Sequence, residues 1–249
     1  GLRTMDVLRN SVDLIESRHG VRIDIHNLPM DDVKTCQMLA DGFTKGVFQS
    51  DSSGICKLIK EIAPKNMFDC VPIVALYRPG PLESGMVDTY LACRHGRQEA
   101  KPFYPTIFKI TEDTYHQFLY QEQIMQASQV LSGFSVGEAD ELRKAIGKKD
   151  AEKLAKLRAK FVAGAQKQNP SDPKVGEIAN DLYSKIEFFG RYCFNKAHSA
   201  AYGLIMYQTA YLKANYPAEY MCCLLSTVIG KEDQFISYLR ETKRMGIHV

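Results

Sequence analysis

The spacing of apolar residues predicts a chain built almost wholly of helices. From Leu2 to Ser17, Leu8, Val12 and Ile15 share a face through steps of three and four, and His19-Gly20 supplies a stop. Val21 to Ile25 alternates apolar and charged residues, which predicts a short extended segment. Asp31 or Asp32 can cap a helix running to about Ala40, with Gly42 beyond it. GVFQSDSSG, residues 46–54, reads as a short apolar strand turning into a polar, glycine-containing corner. A helix from about Ser53 to Ile62 follows. Phe68 to Tyr77 is strongly apolar and predicts a buried helix leading into RPGP, residues 78–81. Two prolines and a glycine make that a rigid corner, and Pro79 biases Arg78 away from helical geometry. Met86 to Arg94 is another helix, ending near His95-Gly96.

Periodicity fades over residues 97–118, where Pro102, Pro105 and isolated aromatics predict a loop-rich connection. It returns in YQEQIMQASQVLSG, residues 120–133, with Ile124, Ser128 and Leu131 on one face and Gly133 as the stop. Glu122, in the first turn, suits the helix dipole. Ser135 and Glu138 form a capping box for a helix to about Ile146, with Ala139, Leu142 and Ile146 as its stripe. A further helix spans about 151–168. Asp172-Pro173 restarts another, with Ile178, Leu182, Ile186 and Phe189 inward and Gly190 at its end. Helices from about Ala197 to Ala214, from Pro217 through Leu225, and from about Lys231 to Met245 complete the pattern. The fold class is mainly α, a multi-helix domain with little strand. No internal repeat or low-complexity tract interrupts it.

Composition changes this picture little. Among 249 residues, 45% are hydrophobic and 24% charged, with a net charge of only +3, so any polyanion partner must be read from local clusters. Seven cysteines without a CxxC pair or a Cys/His ligand spacing favour a reduced, cytoplasmic protein over a disulfide framework or structural zinc. No apolar run is long enough for a membrane span, and no membrane partner is expected. The abrupt start inside a helical pattern, and a last stretch reading like the beginning of another element, lead to the expectation of a piece of a longer chain.

Two places carry chemistry. Arg191 to Tyr202, RYCFNKAHSAAY, sets Asn195, Lys196, His198, Ser199 and aromatic rings among small alanines. That mixture suits a capped helix start, and equally a site where a phosphate or base approaches closely. Arg143, Lys144, Lys148 and Lys149 gather at a helix end beside Gly147, and between Arg143 and Lys160 the acids are only Asp150 and Glu152. This one basic region is either a solvated face or a seat for an anionic ligand. Arg78, on its rigid corner, is either held for a ligand or bonded to local carbonyls.

In order along the chain, GVFQSDSSG, ALYRPGPLESGMVDTY, YQEQIMQASQVLSGFSVGEADELRKAIGKK, RYCFNKAHSAAY and YQTAYLKANYPAEYM resemble the fingers region of the family C polymerases, the α subunits of bacterial DNA polymerase III. The resemblance runs nearly end to end. It implies a fingers domain that is a fragment of a larger polymerase, working on template-primer DNA and deoxynucleoside triphosphates beside other replisome subunits. Residues 1–96 would be the helical part adjoining the palm, 97–118 a connection, and 119–249 the fingers core with the nucleotide-binding face. By the same resemblance Arg143, Lys144, Lys148, Lys149, Asn195, Lys196 and His198 would bind the triphosphate. Tyr192, Arg78, Ser199 and Tyr202 would meet the nascent base pair or DNA.

Departures qualify the roles. Lys144 stands where the family usually has a second arginine, keeping the charge and losing the bidentate fork. Arg191-Tyr192-Cys193-Phe194 replaces a glycine-tyrosine-glycine-phenylalanine run, and Ala197 replaces a serine. The family's catalytic aspartates, with the Mg2+ they hold, would lie outside this chain. No catalytic or metal-binding residue is therefore expected within it, and nucleotidyl transfer by the chain alone is not expected. The alternative reading is a non-catalytic helical module for nucleic-acid binding or protein interaction.

Overall fold

The computed structural model describes residues 3–249. Fourteen α-helices, with short 3-10 turns between some of them, make up the regular structure of the described residues, and no strand forms among them. The chain divides into two compact units. Residues 1–74 and 200–249 make the first, and residues 75–199 the second.

In the first unit, α1 (Arg3–His19) buries Val7, Leu8, Ser11, Val12 and Ile15. The predicted Leu2 start of this helix lies outside the described residues. Helix α1 packs on α13 (Pro217–Ser226), which packs on α14 (Glu232–Arg244), while α2 (Val33–Ala40) packs on α3 (Ser53–Ile62). Asp32, not Asp31, caps α2, its carboxylate accepting from the Thr35 N–H at 2.8 Å. Ser52 caps α3.

The two predicted extended segments do not become strands. Residues 21–25 have no strand partner, and the Ile25 carbonyl instead accepts from Gln208 Nε2 at 2.9 Å. Residues 46–50 fold as turns, with Val47 N–H on the Thr44 carbonyl and Ser50 N–H on the Val47 carbonyl. The Phe48 N–H reaches Thr209 Oγ1 at 3.0 Å. Every extended segment must satisfy its backbone somewhere. Here side chains of α12 (Lys196–Asn215) do so, and no ladder is needed. Gly46 fits the turn twice over: its φ is +80°, and a Cβ there would lie 2.2 Å from Leu224 Cδ2. The predicted Phe68 helix is also shortened. A 3-10 turn spans Met67–Asp69, α4 begins at Cys70 and ends at Leu76, and Phe68 itself is exposed.

The second unit is a bundle of α8 (Gln121–Ser132), α9 (Val136–Lys148), α10 (Ala151–Gln168) and α11 (Val175–Phe189). Its core joins Ile124, Leu131, Leu142, Phe161, Leu182 and Ile186. Helices α8 and α10 cross so closely that a Cβ on Gly164 would sit 2.1 Å from the Ser132 carbonyl oxygen. Helix α11 starts at Val175, beyond the predicted Asp172 cap. Asp172 instead accepts from Tyr104 OH at 2.9 Å and the Lys174 N–H at 2.9 Å. The buried stripe of α11 runs through Ala179 and Tyr183, with Ile178 only half-buried. Before the bundle come α5 (Pro79–Glu83), α6 (Met86–Arg94) and the loop-rich stretch, which holds one short α-helix, α7 (Phe108–Thr111), between two 3-10 turns. Gln123 staples that stretch to α8. Its Oε1 accepts from the Leu119 and Tyr120 N–H groups, and its Nε2 donates to the Ile110 carbonyl and Thr114 Oγ1. No helix among the described residues is long and apolar enough to cross a membrane.

Candidate nucleotide and nucleic-acid site

The second unit knots three of the sequence motifs together. At the start of α12, Asn195 acts as the cap, its Oδ1 accepting from the His198 N–H at 2.7 Å. A capping side chain is held only as firmly as its own surroundings, and here Glu122 supplies them. Its carboxylate accepts from Asn195 Nδ2 at 2.7 Å and from the Lys196 N–H at 2.9 Å. A carboxylate at a helix N-terminus answers both unpaired N–H groups and the positive end of the dipole. Glu122 thus serves the start of α12, beyond the dipole role its place on α8 suggested.

The backbone before Asn195 is fastened to the residues before α8. Phe194 and Tyr120 form an isolated parallel bridge. The Phe194 N–H donates to the Leu119 carbonyl at 2.9 Å, and the Gln121 N–H to the Phe194 carbonyl at 2.8 Å. Buried Cys193 donates its Sγ–H to the Phe118 carbonyl at 3.0 Å, and burial pushes its thiol pKa up. The RPGP corner joins from the other side. Arg78 lies 4.2 Å over the Phe194 ring and donates to the Tyr192 carbonyl at 2.5 Å and the Ala75 carbonyl at 3.2 Å. Burial pulls its guanidinium below the ordinary arginine range. Arg78 thus bonds one local carbonyl, that of Ala75, and one distant one, that of Tyr192. Gly80 is small because Tyr192 rests there: a Cβ would lie 2.3 Å from Tyr192 Cδ1.

On this base Lys196 and His198 stand exposed. Lys196 Nζ is 3.2 Å from Asp113 Oδ2 and 5.5 Å from the Tyr120 ring centroid. His198 lies edge-on to Phe194, centroids 5.1 Å apart. Ser199 is fully buried, its Oγ without a partner among the described residues. Tyr202, further along α12 in the first unit, is half-buried with its ring 5.3 Å from Phe48.

The basic segment is less bare than its sequence window suggested. Asp140 takes both Arg143 at 2.7 Å and Lys144 at 2.7 Å. Hydrogen bonds from Lys144, then Arg143, hold its carboxyl below the usual range. Lys153 pairs with Glu141, Lys156 with Glu152, Arg158 with Glu187 and Lys160 with Glu138. Glu138, Asp140 and Glu141 precede the window on α9, and Glu187 comes from α11. Counting acids only between Arg143 and Lys160 therefore overstated the local charge. Lys148 and Lys149 are exposed and make no ion pair among the described residues. The end of α9 also meets the end of α11: a Cβ on Gly190 would lie 3.1 Å from Ile146 Cδ1. This puts the basic helix end beside the turn that leads into Tyr192–Asn195. Arg143 and Lys144 bond Asp140, whereas Asn195 bonds Glu122 and Lys196 Nζ bonds Asp113.

Sequence reading missed Glu122 as the acceptor for Asn195 and Asp113 as the partner of Lys196. Glu122 stood in a motif already singled out, yet nothing local reveals a partner 73 residues away. Among the described residues no group of three or more His, Cys, Asp or Glu side chains is placed to hold a metal ion.

All-helical in its regular structure among the described residues, the chain matches a polymerase fingers domain. A family model described as the bacterial DNA polymerase III alpha subunit finger domain matches residues 4–169, and the chain belongs to that family. It is similar along its whole length to three proteins named DNA polymerase III subunit alpha. It is 43% identical to that of Aquifex aeolicus over 249 residues, 21% of that protein. It is 41% identical to that of Thermus aquaticus over 254 residues, 20% of that protein. It is 40% identical to that of Escherichia coli K12 over 260 residues, 22% of that protein. The chain thus spans about a fifth of the length of the curated relatives it matches.

Proposed function

We propose that this fingers domain binds the incoming deoxynucleoside triphosphate and the template-primer of a cytoplasmic DNA-directed DNA polymerase. Its companions would be the other replisome subunits of the parent protein. The observation that carries the reading is the convergence of RPGP, YQEQ and FNKAH into one hydrogen-bonded knot that leaves Lys196 and His198 exposed. Such a knot pre-organises cations for a polyanionic ligand, so little ordering is required when the ligand arrives. Lys196, Asn195 and His198 would take phosphate oxygens or sugar. Arg143, Lys144, Lys148 and Lys149 would supply further positive charge. The surface ion pairs of Arg143, Lys144 and Lys196 are weak and readily exchanged for a triphosphate. The Mg2+ of the reaction would be held by carboxylates of the parent outside these residues, and no step assigned to this chain runs through it.

Titration of a deoxynucleoside triphosphate against salt tests the binding role. Binding is expected to weaken at least tenfold on Arg143→Ala and on Lys196→Ala, each removing one charge-assisted hydrogen bond. DNA binding with a steep salt slope and no triphosphate binding would instead support the non-catalytic helical module. The chain alone, given magnesium, primed template and all four triphosphates, is expected to extend no primer. Robust templated extension would overturn that part of the reading.

A further inference from the structure

The end of α11 carries an aromatic surface that the nucleotide role leaves unused. Phe188 is 52% exposed although it is a large apolar ring. It is held upright, nearly perpendicular to Phe189 (centroids 4.9 Å, 89°) and to Tyr192 (6.3 Å, 83°). Tyr192 is in turn seated on Gly80. An exposed ring braced on two sides presents a fixed face and loses little entropy when something stacks on it.

The charge around this ring is one-sided. Arg191 is exposed and has no ion pair among the described residues, as is true of Lys148 and Lys149. The contact between Ile146 and Gly190 brings the end of α9, with both lysines, beside this turn. Nearby acids are already engaged: Glu187 by Arg158, Asp140 by Arg143 and Lys144, Asp181 by Lys185. Aromatic faces set among unbalanced cations are the chemistry that grips unpaired nucleic acid, bases on the rings and phosphates on the cations.

We propose that Phe188, with Tyr192, Arg191, Lys148 and Lys149, forms a stacking platform for a single-stranded segment of DNA, the unpaired template strand. The inference rests on the polymerase reading above and adds to it. Phe188 and Arg191 gain a role, and Lys148 and Lys149 serve strand phosphates in addition to lending charge toward the triphosphate. The test is fluorescence anisotropy of labelled oligo(dT) and of an abasic oligonucleotide of equal length, titrated with the full chain over a salt series. Phe188→Ala is expected to weaken oligo(dT) binding about tenfold with the salt slope unchanged, as if roughly one base no longer stacked. Phe188→Trp should restore it, and abasic binding should ignore both changes. Lys148→Ala with Lys149→Ala should flatten the slope by about 0.7 for each phosphate that is no longer neutralised. The proposal fails if wild-type chain does not bind oligo(dT), or if Phe188→Ala binds it as wild type does. It fails equally if Phe188→Ala abolishes only self-association. Triphosphate titration of Phe188→Ala, expected to match wild type, separates the two readings: its failure in wild type counts against the nucleotide site alone.

Discussion

Helix α12 carries a lysine near each end, and the two have opposite fates. Lys213, in the first unit, is completely buried. Its Nζ donates to the Phe43 carbonyl at 2.8 Å, the Lys45 carbonyl at 2.7 Å and Glu241 Oε1 at 2.6 Å. Burial pushes its pKa down to about 8, against the opposing pull of Glu241. Lys196, in the second unit, is exposed, with one carboxylate at 3.2 Å and an aromatic face beneath it. The same side chain is a structural clasp where its three donors are all taken by fixed acceptors, and a candidate ligand-binding group where water and one exposed acid surround it. The residue type does not distinguish these fates, whereas the number of acceptors around it does.

Lys213→Met attacks the closed end and should have the largest effect. It leaves Glu241 with only its exposed Arg244 neighbour and two carbonyls without their donor. Removing one member of a buried pair costs about 3–5 kcal/mol, read as a lowered denaturant midpoint. A midpoint near wild type would mean that water already reaches the Lys213 ammonium. Glu122→Ala attacks the open end. It removes the acceptor of Asn195 Nδ2 and the Lys196 N–H, so a loss of about 1 kcal/mol is expected. Faster amide exchange should appear at Lys196 and His198, while the amides of Lys213 and its turn keep their protection. Exchange quickening at both ends would show that α12 responds as one piece and would erase the contrast.

The smallest effect is a pH dependence at the α9 cap. Glu138, ordinarily near 4.5, is lowered to about 2 by the hydrogen bond from Lys160 and those involving Ser135. A carboxyl with a lowered folded pKa contributes stability that is present above the unfolded value and lost as pH falls through the folded one. Thermal melts should therefore show a slight loss between pH 4.5 and about 2 that Glu138→Gln removes. Its side chain is half-buried at the surface and its Lys160 partner is exposed, so salt should shrink the effect. Identical pH profiles for variant and wild type would leave the cap as a neutral hydrogen bond only.

Much of the helical framework was legible because local rules act over a single turn. Gly133 after α8, the Ser135–Glu138 box and Pro217 at the head of α13 declare themselves from neighbours alone, and the structure keeps each. The misreadings fall where a partner came from far away. The apolar run Gly46–Phe48 looks like a strand until Thr209 supplies the hydrogen bond a second strand would have given. The basic window looked uncompensated because its acids lie on the preceding turns of α9 and on α11.

The candidate site divides along the same line. RPGP, YQEQ and FNKAH could be picked out as chemistry-bearing from residue types, and their resemblance to polymerase fingers rested on order and spacing. That Glu122 orders Asn195, that Arg78 spends its donors on the Tyr192 and Ala75 carbonyls, and that Ser199 points inward could not be picked out so. By itself the sequence determined most of the longer helices, several of their caps and the family, since propensity, periodicity and motif order are properties of neighbouring residues. Only the tertiary structure decided which charged groups are engaged and which stand open, because that depends on acceptors brought within about 3 Å by folding rather than by the chain.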